Sequence, residues 1–412
     1  MSRTPIVIVQ GAQYGSEAKG MVAAALCERR DIRYAVRTGA VNAGHTVYYK
    51  GKKYVNQQLP TGWVNPKTRL VLGAGAYINP FQLHDEIEMI HEATGCWPSI
   101  LVDYRAGLHL TEHTERAKQS NRHYKIGATG KGCSEAILDR IRLRGSGGML
   151  FMEWCDRNHG MIDKWKFSFG DMAEFLNDAY DRGDSILLEG TQGTLLDLYL
   201  GPYPYTTHKQ CTASQWVTEA GLSPSLEYEI VLVARTFPIR VAGNSGPLPG
   251  EISWPELMFE VNEKLRQAGK PFLVDPKAGK MFLDEWKKLG EYPYASPEVE
   301  ASERNRDTMR ALPPDVVEEL GKLFEFTTVT KKLRRVARLN MPLLKYSCKV
   351  NRPAWVALTF LNYEFPELWG AAAAPVTTFG AAMSFADDLG GKIGAPVRAV
   401  TTGPESKHFI FR

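Results

Sequence analysis

Short runs of β-branched and other apolar residues punctuate this chain: Ile6–Val9, Tyr34–Val36, Leu70–Leu72, Ile100–Val102, Ile186–Leu188, Ile230–Val233, Trp355–Leu358 and Val397–Val400. They are apolar throughout rather than alternating, which suits strands covered on both faces and hence a mostly parallel sheet. Helical patterns or long connections separate most of them. The expected class is therefore α/β, a mostly parallel central sheet flanked by helices. A length of 412 residues suits one large α/β domain with an elaboration, or two domains. Residues 250–322 differ from the rest, with Trp254, Trp286, many charges and helical patterns at Ser302–Arg310 and Pro314–Lys322. They read as a helical insertion within a single domain spanning 1–412, with no recognisable chemistry of their own.

Composition narrows the function classes. Hydrophobic residues make up 44% and charged residues 23%, as in an ordinary soluble globular protein. A net charge of +4 does not argue for nucleic acid, and phosphate-bearing small molecules would account for it equally well. The six cysteines are scattered without a C-x-x-C pair, which favours reduced thiols in a cytoplasmic enzyme over a zinc site or disulfide framework. The N-terminal residues run straight into the first apolar run, so no leader is expected, and no run reaches membrane-spanning length.

Several apolar runs end in glycine-rich or polar loops: Gly11–Gly20, Thr38–Thr46, Glu189–Gly193, Thr359–Asn362 and Thr401–Pro404. Ligands of open parallel sheets sit beyond the carboxyl ends of the strands, so five such loops on one edge would build one composite site. The first loop, Gly11-Ala12-Gln13-Tyr14-Gly15-Ser16-Glu17-Ala18-Lys19-Gly20, precedes a helical pattern at Met21–Leu26. It has P-loop spacing between Gly15 and Gly20, but Met21 stands in place of the usual lysine and Lys19 precedes the last glycine. Taken alone it is either a phosphate cradle or a plain strand–helix turn. His45 in Asn42-Ala43-Gly44-His45-Thr46 is likewise either a packing residue or, at a strand end beside glycine, a proton donor or oxyanion stabiliser.

Together, Gly11-x-Gln13-Tyr14-Gly15-x-Glu17-x-Lys19-Gly20 and Asn42-Ala43-Gly44-His45-Thr46 resemble the adenylosuccinate synthetase family. The likeness continues through Ile126–Gly132, Glu189–Asp197, Tyr203-Pro204-Tyr205, Arg240-Val241 and Thr401–Pro404, leaving out 250–322. It implies a P-loop-related fold and a ligase that joins aspartate to C6 of a purine monophosphate after a nucleoside triphosphate phosphorylates the C6 oxygen. By position, His45 resembles the general acid, with Gln192 also in a catalytic place. Asn42, Ala43, Thr129, Gln192, Thr207 and Val241 resemble the residues holding the purine monophosphate, and Lys332 stands near the sugar. Gly15, Glu17, Ala18, Lys19, Gly20, Gly44, His45, Thr46, Arg334, Asn362, Thr401, Thr402 and Gly403 resemble the donor-nucleotide site. The cofactor implied is Mg²⁺, at Ser16 and the Gly44 carbonyl. Thr328, Val329, Thr330, Lys331, Lys332 and Arg334 resemble the aspartate-binding loop, whose cations suit a dicarboxylate. The same run in isolation would be a solvated basic turn. A homodimer is implied, with an arginine crossing to the partner's 5′-phosphate; the aligned position is Leu143, flanked by Arg142 and Arg144.

Two departures carry chemistry. The family has an aspartate at Ser16 that takes the N1 proton of inosinate, which a hydroxyl cannot do near neutral pH unaided. A short hydroxyl does leave room for a guanine 2-amino group and can accept its hydrogen bond. The family also has Thr-Lys-Leu-Asp where this chain has Thr359-Phe360-Leu361-Asn362. An asparagine presents both a donor and an acceptor and so matches adenine rather than guanine. These departures resemble the phage-type branch of the family, which makes N6-succino-2-amino-2′-deoxyadenylate from dGMP and aspartate. The expectation is dGMP as substrate, with ATP or dATP as phosphate donor. The alternatives are an adenylosuccinate synthetase acting on IMP with GTP, or an inactive nucleotide-binding regulator.

Overall fold

All eight apolar runs are strands of one sheet. In the computed structural model, which describes residues 5–412 except 121, 145–148, 159–164, 166, 290–296, 328–332 and 373–375, they form β1 (Ile6–Gly11), β2 (Tyr34–Arg37), β3 (Arg69–Leu72), β4 (Ile100–Asp103), β6 (Ile186–Glu189), β7 (Tyr228–Arg235), β8 (Trp355–Thr359) and β9 (Val397–Thr401). Two further strands, β5 (Phe167–Gly170) and β10 (Phe409–Phe411), complete the ten-stranded sheet, in the order β10-β9-β8-β7-β1-β6-β2-β3-β4-β5. Both additions are edge strands, partly exposed and only three or four residues long; Ser168 interrupts the apolar pattern of β5, whereas β10, Phe409-Ile410-Phe411, is as apolar as the runs above. Every pairing in the sheet is parallel except β9 with β10.

Coverage on both faces explains the unbroken apolar runs. Successive side chains of a strand point to opposite faces. In β1, Ile6 and Ile8 pack with Tyr34, Val36, Leu188 and Trp216. Val7 and Val9 pack on the other face with Met21, Val22, Leu26 and Leu187. Met21, Val22 and Leu26 belong to α1 (Lys19–Arg29), which begins two residues before the expected Met21 and so carries Lys19 and Gly20 in its first turn.

Because β1, β2, β6, β8 and β9 are parallel members of one sheet, the five loops foreseen at their ends lie on one edge. One boundary needs correcting. His45 and Thr46 do not end a loop after β2; they open an antiparallel hairpin, His45–Tyr49 paired with Lys52–Asn56, in which His45 faces Asn56. The ladder fixes the His45 backbone.

Residues 250–322 are mostly helical, as expected: Trp254–Gln267, Pro276–Lys288, Pro297–Ala311 and Pro314–Leu320. Ser253 caps the first by accepting from the Glu256 N–H, and Asp275 caps the second from Lys277. A short strand, Glu251–Ile252, precedes them and pairs with Arg335–Ala337, which also pairs with Ile239–Arg240. The helices close over a core of Trp254, Leu257, Met258, Val261, Phe282 and Phe324 that continues into Phe237 and Tyr363, just beyond β7 and β8. The segment therefore buttresses the site edge of the sheet. Among the described residues no helix is long and apolar enough to cross a membrane.

Candidate active site

The first loop is held open by its own charged residues. Glu17 accepts from the backbone N–H groups of Gln13 (3.0 Å) and Gly15 (2.7 Å), and Lys19 Nζ donates to Glu17 (2.8 Å) and to the Gly15 carbonyl (3.1 Å). Gly15 has φ +90°, a conformation glycine adopts without steric cost. Ala18 caps α1 in the left-handed region with no side-chain bond, so no side chain occupies the first-turn N–H groups. They are open to an anion. With both oxygens engaged by the loop, Glu17 braces it rather than standing ready as a base.

The β6 loop packs against this one. A Cβ on Gly193 would lie 2.3 Å from the Gln13 carbonyl, and one on Gly15 would lie 3.1 Å from Gln192 Cα and 3.6 Å from Gln192 Oε1. Gln192 itself has φ +60°, a conformation that costs a non-glycine residue of order 1 kcal/mol and recurs at functional sites. Gln192 and the first loop thus meet.

His45 sits over the first turn of α1; a Cβ on Gly20 would lie 2.7 Å from His45 Cβ. Its Nδ1 lies 2.5 Å from Glu189 Oε1, at the end of β6. Glu189 also accepts from Arg37 (3.1 Å), the last residue of β2, and from the Thr61 N–H (2.7 Å) and hydroxyl (2.8 Å). Arg37 in turn donates to the carbonyls of Ala43 (2.8 Å) and Gln57 (3.0 Å). Burial alone would raise the Glu189 carboxyl, but the bond and charge of His45, then Arg37 and Thr61, hold it below its ordinary value. Burial, with Arg37 adding to it, pulls the His45 imidazole down to about 4 despite Glu189. The arrangement is a neutral imidazole whose Nδ1–H faces an anionic carboxylate, which fixes the tautomer. His45 Nε2 is buried and has no hydrogen-bond partner among the described residues, an uncommon state for a buried nitrogen. It is the one imidazole atom left for a reacting group.

The residues resembling a purine-monophosphate site come together through their loops. Ala40, Val41 and Cys133 share a small core beside Asn42. A Cβ on Gly127 would lie 2.8 Å from Ser245 Cα, and Asn244 donates to the Lys125 carbonyl (2.7 Å), which brings the Thr129 loop against the Val241 loop. The Ser245 hydroxyl donates to the Val241 carbonyl (2.7 Å). Thr207 donates its N–H to Leu196 (2.8 Å), and Tyr205 lies against Gly246. Arg142 ends the helix Cys133–Arg142 and Arg144 follows it; both are exposed, and among the described residues neither bonds to these loops.

Ser16 has an unforeseen partner. Its Oγ accepts from Arg334 (2.7 Å), and its carbonyl accepts from Arg235 (3.2 Å). Arg235, the last residue of β7, is 1% exposed, pairs with Glu325 and lies 3.7 Å from the Phe360 ring centre. Phe360 has φ +57° at the turn after β8, with its N–H bonded to Thr401 Oγ1 (3.0 Å). Asn362 and Thr402 are buried beside this turn, and the Thr402 hydroxyl donates to Ala371 (2.6 Å). Gly403 packs on His408. The presumed aspartate-binding residues Thr328, Val329, Thr330, Lys331 and Lys332 lie outside the described residues. Their flanks are joined by a Phe326–Leu333 bridge and by the Arg334 N–H to the Glu325 carbonyl (2.8 Å), which brings the base of that segment to Ser16.

Magnesium takes oxygen ligands, usually one or two carboxylates plus substrate phosphates and waters. The Ser16 hydroxyl already faces a guanidinium and Glu17 is committed to the loop. The fit is therefore to the Gly44 carbonyl and to phosphates supplied by a nucleotide, with Ser16 a poor ligand.

Comparison with known proteins accords with this geometry. A family model described as adenylosuccinate synthetase matches residues 8–152 and 149–280. The chain belongs to the adenylosuccinate synthetase family. It is 31% identical over 409 residues to the adenylosuccinate synthetase of Methanocaldococcus jannaschii, covering 98% of this chain and 95% of that one. With the Pyrococcus horikoshii adenylosuccinate synthetase it shares 30% over 414 residues, 99% of this chain and 98% of the relative. Among solved structures, the cyanophage S-2L succinoaminodeoxyadenylate synthetase bound to dGMP and dATP superposes with a TM-score of 0.71 at 24% identity, covering 100% of this chain and 96% of that one. The Plasmodium falciparum adenylosuccinate synthetase gives 0.67 at 18%, covering 99% and 100%. At these identities the structural likenesses establish the α/β fold. The chain is accordingly an enzyme, a ligase of the family that forms a C–N bond with aspartate.

The residues that sequence reasoning did not single out are Arg37, Thr61, Arg235 and Glu325, together with the role of Glu189. Arg37 and Arg235 had a signal, since each is a cation closing an otherwise apolar strand. Buried charges of that kind are almost always paired.

Proposed function

We propose that this ligase joins L-aspartate to C6 of dGMP at the expense of ATP or dATP, giving N6-succino-2-amino-2′-deoxyadenylate, ADP or dADP, and phosphate. The observation carrying the reading is Ser16. Where the family has a carboxylate, this chain offers a hydroxyl with one lone pair taken by Arg334 at 2.7 Å. The O–H and the second lone pair remain for the 2-amino and N1 edge of a guanine. The pairing of dGMP with an adenine nucleotide in the cyanophage S-2L enzyme supports the same substrates here.

In this reading the donor γ-phosphoryl group transfers to the guanine O6, ADP or dADP departs, and the N1 proton passes through water to the Nε2 lone pair of neutral His45. The aspartate amine then adds at C6, and phosphate leaves with the former O6. Lys19 and the first-turn N–H groups of α1 hold the donor phosphates. His45, oriented by Glu189 and protonated at Nε2 by the proton from N1, donates from that atom to the oxygen that receives the phosphoryl group. Asn362 reads the donor base, Gln192 with Asn42, Ala43, Thr129, Thr207 and Val241 holds the substrate, and the 328–334 segment holds aspartate. Magnesium, carried by the donor phosphates and the Gly44 carbonyl, would neutralise phosphate charge. In a homodimer, Arg142 or Arg144 reaches the partner's 5′-phosphate.

A second reading, IMP with GTP, is favoured by the relatives that match nearly end to end, each named adenylosuccinate synthetase. Purified protein with aspartate and magnesium, offered IMP, GMP or dGMP with GTP, ATP or dATP, separates the two by phosphate release and product mass. Turnover confined to IMP with GTP would refute the dGMP proposal.

A further inference from the structure

Arg235 is central to a closed ring of contacts that joins three parts of the site. Its guanidinium carbon lies 3.7 Å from the Phe360 ring centre and 5.7 Å from that of Tyr363. Nη1 donates to the Ser16 carbonyl (3.2 Å) and to Glu325 (3.3 Å), and Nη2 donates to the other Glu325 oxygen. Glu325 also accepts from the Tyr363 hydroxyl (2.9 Å), and its carbonyl accepts the Arg334 N–H (2.8 Å). Arg334 closes the ring on Ser16 Oγ (2.7 Å). The Arg235 backbone is itself clamped to the first loop, through Gln13 Oε1 (3.0 Å) and Gln13 Nε2 (3.1 Å). The first loop, the turn after β8 and the base of the 328–334 segment therefore share one buried cation.

The identity of residue 360 matters to this ring. An aromatic face attracts a guanidinium at stacking distance, by about 0.5–2 kcal/mol as water is excluded. A lysine at the same place would bring a second cation against a buried one, and like charges in a poorly solvated site repel strongly. Ser16 is one of the two departures described above and Phe360 lies in the turn that carries the other, and Arg235 touches both. Ser16 and Phe360 are not bonded to each other.

We infer that Arg235 is a positioning residue that couples the donor-base turn to Ser16, so that donor choice and purine-substrate choice are set together through one guanidinium. The inference rests on the proposed roles of Ser16 and the 360–362 turn. A nucleotide seated on the turn fixes Phe360, Phe360 fixes the plane of Arg235, and Arg235 with Arg334 fixes Ser16 against the purine edge. Arg235 touches no substrate in this scheme.

A double-mutant cycle tests it: Ser16→Ala and Phe360→Leu, singly and together, in kcat/KM for the purine monophosphate and KM for the donor. It uses full-length protein and whichever nucleotide pair the wild-type chain turns over. That last condition separates failure of the coupling from failure of the dGMP reading, since the cycle runs equally with IMP and GTP. The expected result is non-additivity, the double variant losing at least fivefold less kcat/KM than the product of the single losses. Repeated in an Arg235→Lys background, which keeps the buried charge opposite Glu325 but not the planar fork, the cycle becomes additive. Additive single losses in the wild-type background would overturn the inference, as would non-additivity that persists in Arg235→Lys. Thermal melts of each variant guard against unfolding. Should Arg235→Lys not fold, Glu325→Gln, which frees Arg235 from its counter-ion, is expected to shrink the coupling and is the replacement background. Undiminished coupling there would overturn the inference.

Discussion

Replacing Glu189 with glutamine separates charge from shape at the centre of the site. The wild-type carboxylate has no exposed side-chain surface and holds His45, Arg37 and both Thr61 donors. Glutamine retains an acceptor oxygen for Thr61, bonds worth about 1 kcal/mol each. It leaves Arg37, also fully buried, with only the carbonyls of Ala43 and Gln57. Breaking a buried pair by neutralising one partner costs roughly 3–5 kcal/mol; with the Thr61 bonds kept, about 3 kcal/mol of stability should be lost. The amide can also donate to Nδ1 and so place the proton on Nε2, the wrong tautomer for the wild-type arrangement. Loss of one proton-handling group typically costs about 10²–10⁴ in rate, and a fall in kcat of about 10³ is expected, with the aspartate KM little changed. Urea melts followed by tryptophan fluorescence and a phosphate-release assay measure the two effects. If His45 acts through this contact, Glu189→Gln added to His45→Ala should slow the enzyme no further, because groups that act as a unit are not additive. A single variant keeping kcat within about threefold of wild type would refute the reasoning.

Other expectations concern the same edge of the sheet. Ser16→Asp sets a carboxylate against Arg334 and the purine edge and should weaken use of dGMP about tenfold or more, read as kcat/KM; unchanged kinetics would remove Ser16 from the specificity argument. Asn362→Asp removes the donor group matched to adenine and should move the preferred phosphate donor from ATP towards GTP, seen in competition assays. Gly193→Ala places a methyl 2.3 Å from the Gln13 carbonyl and should cost about 1–3 kcal/mol while raising the donor KM, since the two loops must part. His208 is pulled down to about 3 by burial, with Lys209 and Arg122 adding to it, so the unfolded chain binds its proton first as pH falls. Stability from this group is complete above its unfolded value and lost towards acid. His208→Gln should therefore flatten the fall in urea midpoint between about pH 6.5 and 4, compared with wild type.

Much of the fold was legible because it rests on local signals. A strand buried on both faces needs an unbroken apolar run, and eight such runs became eight neighbours in one sheet. β5 escaped because an edge strand needs no such run, whereas β10, Phe409-Ile410-Phe411, carries one as short as that of β3 and was passed over. His45 illustrates the boundary error: the glycines before it look like loop, while its pairing with Asn56 depends on a hairpin whose second strand, Lys52–Asn56, opens with two exposed lysines and follows a glycine turn. The first loop and the Asn42–His45 stretch could be singled out as candidates because glycine-rich turns at strand ends announce themselves within a few residues.

The layered α/β architecture, the edge that carries the candidate site and the ligase family were all readable from the chain, which also marked Ser16 and Asn362 for test. Each is a property of residue type within a short window. Tertiary structure alone decided who partners whom. His45 and Glu189 are 144 residues apart and Ser16 and Arg334 are 318 apart, and they meet only because β1, β6, β7 and β8 take neighbouring places in an order unlike their order in the chain. A buried cation must find an anion or a ring wherever the packing leaves one. That choice is made by strand order and by which atoms lose their water together, and neither is written in any local stretch of sequence.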